Sequence, residues 1–165
     1  MINDLLSYKH QVIDPVRGKP SAFLEMPPTV LLPKDDININ LNSIYSILNI
    51  EEINLLGEIS IGISKYSKAI DAINDRSRIH INELQPTLER AGVVQGGDYF
   101  PEQIETVLGN RLFVTIQQAT QQVVDHVDNT LLTLQKVGND LTSLLKKQFP
   151  GEKILEISIP NENNE

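Results

Sequence analysis

Three histidines and no cysteine limit the chemistry that this chain can carry. His126 lies between Asp125 and Asp128, in a stretch with helical spacing of its apolar residues. Metal ligands on a helix share a face when they are three or four residues apart, and His126 points about 100° away from Asp125. The sequence therefore predicts no metal site and no cofactor. Each histidine, His10 and His80 included, is expected at the surface or at the edge of a helix seam.

Arg76 and His80 stand four residues apart on a predicted helix. The pair is similar to the Arg and His of helical ribonucleases of the HEPN type, although that family spaces the two residues more widely. The resemblance is therefore not extended to this chain, and the pair is interpreted as an ordinary polar pair on a helix face.

Other catalytic and binding signatures are missing from the sequence. No serine stands in a Gly-x-Ser-x-Gly setting. Gly92, Gly96 and Gly97 are followed by no Lys-Ser or Lys-Thr, so they indicate a loop between helices rather than a phosphate cradle. The neighbouring acids Glu51 and Glu52 fit the opening turn of a helix. The chain is therefore predicted not to be an enzyme, and no small-molecule substrate is evident.

Composition describes one soluble domain with an acidic balance. The 165 residues are 40% hydrophobic and 5% aromatic, so the core must be aliphatic. The net charge of −8 argues against binding to nucleic acid, whose phosphates would repel such a surface. Neither a secretory signal nor an apolar run of ~20 residues is visible, which favours a cytoplasmic protein, or a particle assembled there, and argues against a membrane protein.

Two apolar stripes with alternating steps of three and four residues predict the architecture. The first contains Leu56, Ile59, Ile63, Tyr66, Ile70, Ile73, Ser77, Ile81, Leu84 and Leu88. The second contains Phe113, Ile116, Thr120, Val123, Val127, Thr130, Leu134, Val137, Leu141 and Leu144. With the Gly-rich turn between them, they predict a mainly α fold: a long, coiled-coil-like antiparallel helical hairpin.

The helix boundaries follow from local signals. Asn49, followed three residues later by Glu52, predicts a capping box at the start of the first helix. Residues 57–64 alternate like a strand, yet the helical spacing on both sides favours helix. Pro86 is expected to bend or end this helix. The second helix should begin at Pro101 and continue through Gly109 to about Gln148.

The ends of the chain read differently. Five prolines in residues 1–36 predict an extended Pro-rich arm, which packs either on its own domain or on a neighbouring subunit. Residues 37–41 and 153–159 have the composition of strands, and they predict a small β element at the base of the hairpin domain, residues 37–160. Residues 161–165 are predicted to form a loose polar tail.

A hairpin buries only one seam, and its stripes here are wider than one seam needs. The interaction surface is predicted to involve ten residues: Phe23, Leu24, Val30, Leu31, Leu55, Leu84, Val124, Leu131, Leu132 and Leu145. The favoured function is a non-enzymatic structural or adaptor subunit that associates with itself or with another protein. One alternative is an acidic, immunity-like protein that masks a basic partner. The other is a helical hairpin that inserts into membranes.

Overall fold

The computed structural model describes residues 2–31, 48–92 and 101–154. Within these ranges the chain is mainly helical, as predicted. The helices are α1 (Ile2–Tyr8), α2 (Ala22–Glu25), α3 (Ile50–Ile79), α4 (Gln85–Arg90) and α5 (Pro101–Gln148). A π-helical turn (Lys9–Ile13) and a 3-10 turn (Asp14–Val16) follow α1, and a second π-helical turn (His80–Leu84) joins α3 to α4.

The long helices α3 and α5 lie side by side and run in opposite directions. Lys147 near the end of α5 pairs with Glu51 at the start of α3, at 2.8 Å. Further along, Arg76 of α3 donates to Thr120 of α5 at 3.3 Å. The predicted turn falls on residues 93–100, outside the described residues. The same holds for the predicted strand at 37–41 and for residues 155–159 of the second one. Residues 153–154 are described and lie in no strand.

The start of α3 and its strand-like stretch are both settled by local contacts. The predicted capping box is confirmed: Asn49 Oδ1 accepts from the Glu52 amide at 3.0 Å, and Glu52 Oε2 accepts from the Asn49 amide at 2.8 Å. Residues 57–64 are helical, as favoured. Gly62 is buried against α5, and a Cβ there would lie 3.1 Å from Leu134 Cδ2. Close helix packing therefore accounts for a glycine that looked like part of a strand.

A π-helical turn precedes each of two prolines, Pro15 and Pro86. Pro86 has no amide hydrogen and would crowd the carbonyl four residues before it in an α-helix. The preceding residue, Gln85, donates instead to the His80 carbonyl, five residues back, which makes the π-helical turn. Asp14 does the same with the Lys9 carbonyl immediately before Pro15. The helical path therefore continues past Pro86 to Arg90 rather than ending near Gln85.

The π-helical turn changes which residue faces the core. A π turn holds more residues than an α turn, so the apolar spacing no longer matches the helix face. Ile81, predicted in the stripe, is 47% exposed, whereas His80 beside it is buried. The expectation that His80 lies at the surface or seam edge is therefore wrong.

The second helix is broken where continuity was predicted. Gly109 has φ 71° and ψ 150°, which no helix accommodates. Glycine adopts positive φ without the steric cost that other residues incur. The break lets Ile104 and Leu108 join Leu84, Phe23 and Ile116 in a small apolar cluster.

The Pro-rich arm is only partly extended. Between Ile2 and Val16 the described backbone is helical, because Pro15 stands at the opening of a 3-10 turn, where its missing amide costs nothing. The short helix α2 fits between Pro20 and Pro27, and residues 27–31 have no regular structure. The N-terminal segment, residues 2–31, packs on its own α3 and α5. The main core contains Leu5, Tyr8, Ile13, Val16 and Met26 of this segment, with Tyr66, Ala69, Ile70, Ile73, Val123, Val127 and Leu131.

Candidate interaction surfaces

The N-terminal segment is held by a buried arginine on α3. The Arg76 side chain is completely buried and donates to the Phe23 carbonyl at 3.0 Å and to the Pro27 carbonyl at 3.1 Å. Its Nε donates to Thr120 Oγ1 of α5. These acceptors are all neutral oxygens, so Arg76 is held by hydrogen bonds and not by an ion pair. The hydrogen bonds of Arg76 join α3 to the N-terminal segment and to α5.

Two further side chains of α3 pair with the backbone of the same segment. Ser77 Oγ accepts from the Thr29 amide at 2.9 Å and donates to the Thr29 carbonyl at 2.5 Å. Asn74 Oδ1 accepts from the Leu31 amide at 2.9 Å, and its Nδ2 donates to the Leu31 carbonyl at 2.8 Å. Each side chain thus binds both backbone groups of one residue, as a neighbouring strand would. This recognition does not depend on the side chains of the bound residues.

Apolar anchors of the segment fill the space between α3 and α5. Phe23 packs edge-on against Phe113, with ring centroids 5.0 Å apart and an interplanar angle of 72°. Met26 is completely buried, and the Tyr8 hydroxyl donates to its sulfur at 3.8 Å. The N-terminal segment and the groove that it fills between α3 and α5 are therefore complementary in shape as well as in hydrogen bonding.

Burial dominates the electrostatics of this region. It lowers the pKa of Arg76 to about 10 and raises the pKa of Tyr8 to about 12, with the Arg76 charge opposing the second shift. Burial, and then the Arg76 charge, lower the pKa of His80 to about 4. Nδ1 of His80 has no hydrogen-bond partner among the described residues. Arg76 and His80 are thus interior groups, not the exposed polar pair predicted.

The other half of the helical pair has a different surface. We call residues 66–79 of α3 and 116–131 of α5 the covered half, and residues 50–65 and 132–148 the open half. In the open half, Ile61 is 55% exposed and Leu132 is 64% exposed. Both line one shallow groove between the helices, together with Glu58, Lys65, Asn129, Thr133, Lys136 and Val137. An apolar centre thus lies between polar side chains.

Polar contacts across the seam fix the register of the open half. Lys65 Nζ donates to Thr133 Oγ1 at 2.8 Å, and Lys136 pairs with Glu58. At the boundary with the covered half, Thr130 Oγ1 donates to the Lys65 carbonyl at 3.1 Å. The Lys136–Glu58 pair is exposed and contributes little to stability, so it defines alignment more than energy.

The ten predicted interaction residues separate into three sets by burial. Phe23, Leu55, Leu84 and Leu131 are buried within the single chain, because the N-terminal segment and the helix seam cover them. Leu24, Leu31, Val124 and Leu145 are partly buried. Only two of the ten, Val30 and Leu132, are largely exposed. Ile61 was missed because it lies outside the strict stripe.

Nothing in the described ranges forms a metal site: no three His, Asp or Glu side chains converge there. Asp128, next to His126 in the sequence analysis, instead binds Arg17 through two hydrogen bonds of 2.9 and 3.0 Å. This bidentate pair ties the N-terminal segment to α5 at the surface.

Comparison with known proteins identifies no relative. No protein-family model matches the chain, and neither a curated protein nor a solved structure is detectably similar to it. Among the described helices, none combines the length and apolarity that crossing a membrane requires.

Proposed function

We propose that this chain is a non-enzymatic subunit of a protein assembly and associates through the open half of a coiled-coil-like helical hairpin. The observation that carries the proposal is the exposure of Ile61 and Leu132 on opposite sides of one groove. Two helices bury one seam, and a wider apolar face needs a further helix against it. A second copy or another helical protein supplies that helix.

The layout of the open half supports this proposal. The exposed ion pair of Lys136 with Glu58 lines the groove beside the apolar residues, and Lys147 pairs with Glu51 further along the open half. An apolar centre with a polar rim is typical of protein interfaces. The covered half already carries the N-terminal segment, so the open half is the better candidate for an external partner.

The buried groups support a role without catalysis. Arg76 and His80 have the most strongly perturbed pKa values of the described basic residues, and perturbed groups are the usual candidates for catalysis. Both side chains are buried, and neither lines a described groove. Burial accounts for both pKa shifts, and the Arg76 charge adds to the shift of His80.

An acidic surface that masks a basic partner receives no support from the described side chains. The excess acid lies largely elsewhere, in side chains that the structure does not describe: Asp35, Asp36, Asp98, Glu102, Glu156, Glu162 and Glu165, against the single base Lys34. The described acids and bases are nearly balanced.

Leu132→Glu tests the proposal, with Ile81→Glu as the matched control. Both replace an exposed aliphatic residue, but Ile81 lies on the π-helical turn, away from the open half. We expect multi-angle light scattering to show wild type and Ile81→Glu associating above the 18.5 kDa of one chain, and Leu132→Glu to remain monomeric. Equal association of all three contradicts an open-half interface. A wild type that remains monomeric at high micromolar concentration, and captures no helical partner, contradicts the function.

A further inference from the structure

The bonds that hold the N-terminal segment do not require it to belong to the same chain. Asn74 and Ser77 bind backbone amides and carbonyls, and Arg76 binds two more carbonyls. The same segment of a second copy presents the same groups, with the same Phe23 and Met26 anchors. A groove that accepts the segment within one chain accepts it equally well from an identical neighbour.

The N-terminal segment fills a groove between α3 and α5 in the covered half, and this groove is apolar. Ile70, Ile73, Val123 and Val127 of the two long helices are at most 1% exposed, and residues of the N-terminal segment pack against them in one cluster. If the segment left, this apolar face would be open to water, at a large cost in free energy. Release of the segment is therefore followed by its return or by docking of an equivalent one.

The connecting chain is longer than the path that it spans within one copy. Leu31 lies beside Asn74, and Leu48 lies near Ile50 at the start of α3. Ile50 and Asn74 are 24 residues apart along α3, which corresponds to roughly 36 Å. The 16 residues between Leu31 and Leu48 span up to roughly 55 Å when extended. Chain length therefore does not tie the segment to its own groove.

We propose that residues 2–31 of one copy dock in the groove between α3 and α5 of a second copy, and reciprocally, in the assembled state. This inference rests on the proposed function and names the partner as a second copy of the chain. The exchanged contacts repeat those within one chain, so assembly gains a second interface without new chemistry.

The charges of one surface ion pair can be changed to determine on which copy a segment docks. Arg17 of the segment and Asp128 of α5 are partly exposed, so their charges can be reversed without disturbing the core. In chains with Arg17→Asp or Asp128→Arg alone, segment and groove of the same chain carry like charges. When the two variants exchange segments with each other, both pairs become opposite again.

The test is co-expression of the Arg17→Asp and Asp128→Arg chains, with native mass spectrometry of the dimers. The two chains differ in mass, so no tag is needed. Exchange predicts that the ratio of mixed dimers to both homodimers together exceeds its random value by about tenfold, because only mixed dimers have two attractive pairs. The control is wild type co-expressed with the Arg17→Asp, Asp128→Arg double variant, which carries an affinity tag because these two chains have the same composition and mass. Exchange depletes mixed dimers there, since both exchanged pairs repel.

The outcomes separate this inference from the proposed function. If mixed dimers form at their random share, the exchange is overturned. If those dimers are also lost when Leu132→Glu is added, the open-half interface is supported. Enriched mixed dimers that persist with Leu132→Glu support the exchange without that interface. Monomers alone in every co-expression overturn the exchange.

Discussion

The covered and open halves are parts of the same two helices, yet they bury their stripes to different depths. Ile70, Ile73, Val123 and Val127 in the covered half are almost fully buried. In the open half Val137 is the one buried residue of the stripes, and the others are only partly buried: Leu56, Ile59, Ile63, Leu134, Leu141 and Leu144. The apolar spacing is the same in both. The difference is the third layer that the N-terminal segment adds, which shows that a two-helix seam alone leaves aliphatic stripes incomplete.

The covered half also tolerates polar groups that the open half lacks. Arg76 and Ser77 are interior and bonded to the N-terminal segment, and His80, in the π-helical turn that follows, is interior as well. In the open half, charged side chains lie at the rim. We therefore expect substitutions in the covered half to affect folding and substitutions in the open half to affect association.

The largest expected effect is a cavity in the covered half. Ile73→Ala should lower the free energy of unfolding by about 3.5 kcal/mol, because a fully buried isoleucine loses its packing. Ile61→Ala in the open half should change it by less than about 0.5 kcal/mol. Urea unfolding followed by circular dichroism measures both, and similar losses would contradict the distinction between the halves.

Arg76→Ala should be nearly as harmful, at about 3 kcal/mol, because truncation leaves buried carbonyls of Phe23 and Pro27 without a donor. Arg78→Ala is the matched control. Arg78 is exposed and pairs with Asp75, so its loss should cost less than about 0.5 kcal/mol. Limited proteolysis near residue 27 should accelerate for Arg76→Ala alone. Unchanged protection would mean that Arg76 does not hold the N-terminal segment.

In the open half, local capping should matter more than packing at the groove. Asn49→Ala removes the side-chain acceptor of the capping box and should cost about 1 kcal/mol. Asn54→Ala, at an exposed helical position, should be neutral or slightly stabilising, since alanine favours helix. Hydrogen exchange of the first turn of α3 measures the change. Equal exchange in both variants would refute the role of the cap.

The smallest effect at neutral pH belongs to His80. Its pKa is lowered to about 4 in the folded chain, while an unfolded histidine binds a proton near pH ~6.5. As pH falls from ~6.5 to ~4, the unfolded state takes up the proton first, so stability falls with pH in that window. His80→Gln should remove this part of the slope, and His126→Gln should retain it. Thermal unfolding midpoints of the two variants and wild type, measured between these two pH values, test this expectation.

The predictions that succeeded depended on local chemistry. Asn49 and Glu52 form their capping box because both partners lie within one turn, and residues 57–64 are helical because their neighbours share one spacing. The errors came from backbone geometry. The positive φ at Gly109 and the π-helical turns before Pro15 and Pro86 change helix direction or facing without a signal in apolar spacing.

The candidate sites divide in the same way. Leu132 was named from the sequence because it widens a helical stripe, and it is exposed. Leu84 was named on the same reasoning and Phe23 as an apolar residue of the Pro-rich arm, yet both lie in one buried cluster. Stripe width indicates that a helix face needs a cover, but it does not indicate which part of the chain provides one.

Helical class, the cap at Asn49 and the aliphatic character of the core follow from the residues themselves, because hydrogen bonds within a turn and apolar periodicity act over a few positions. Tertiary structure alone decided that Arg76 and His80 are interior and that residues 2–31 cover one half of the long helices. Those outcomes depend on contacts between residues some fifty positions apart, such as Arg76 with Phe23. Burial at such distances is set by how whole segments pack, and no local pattern carries that information.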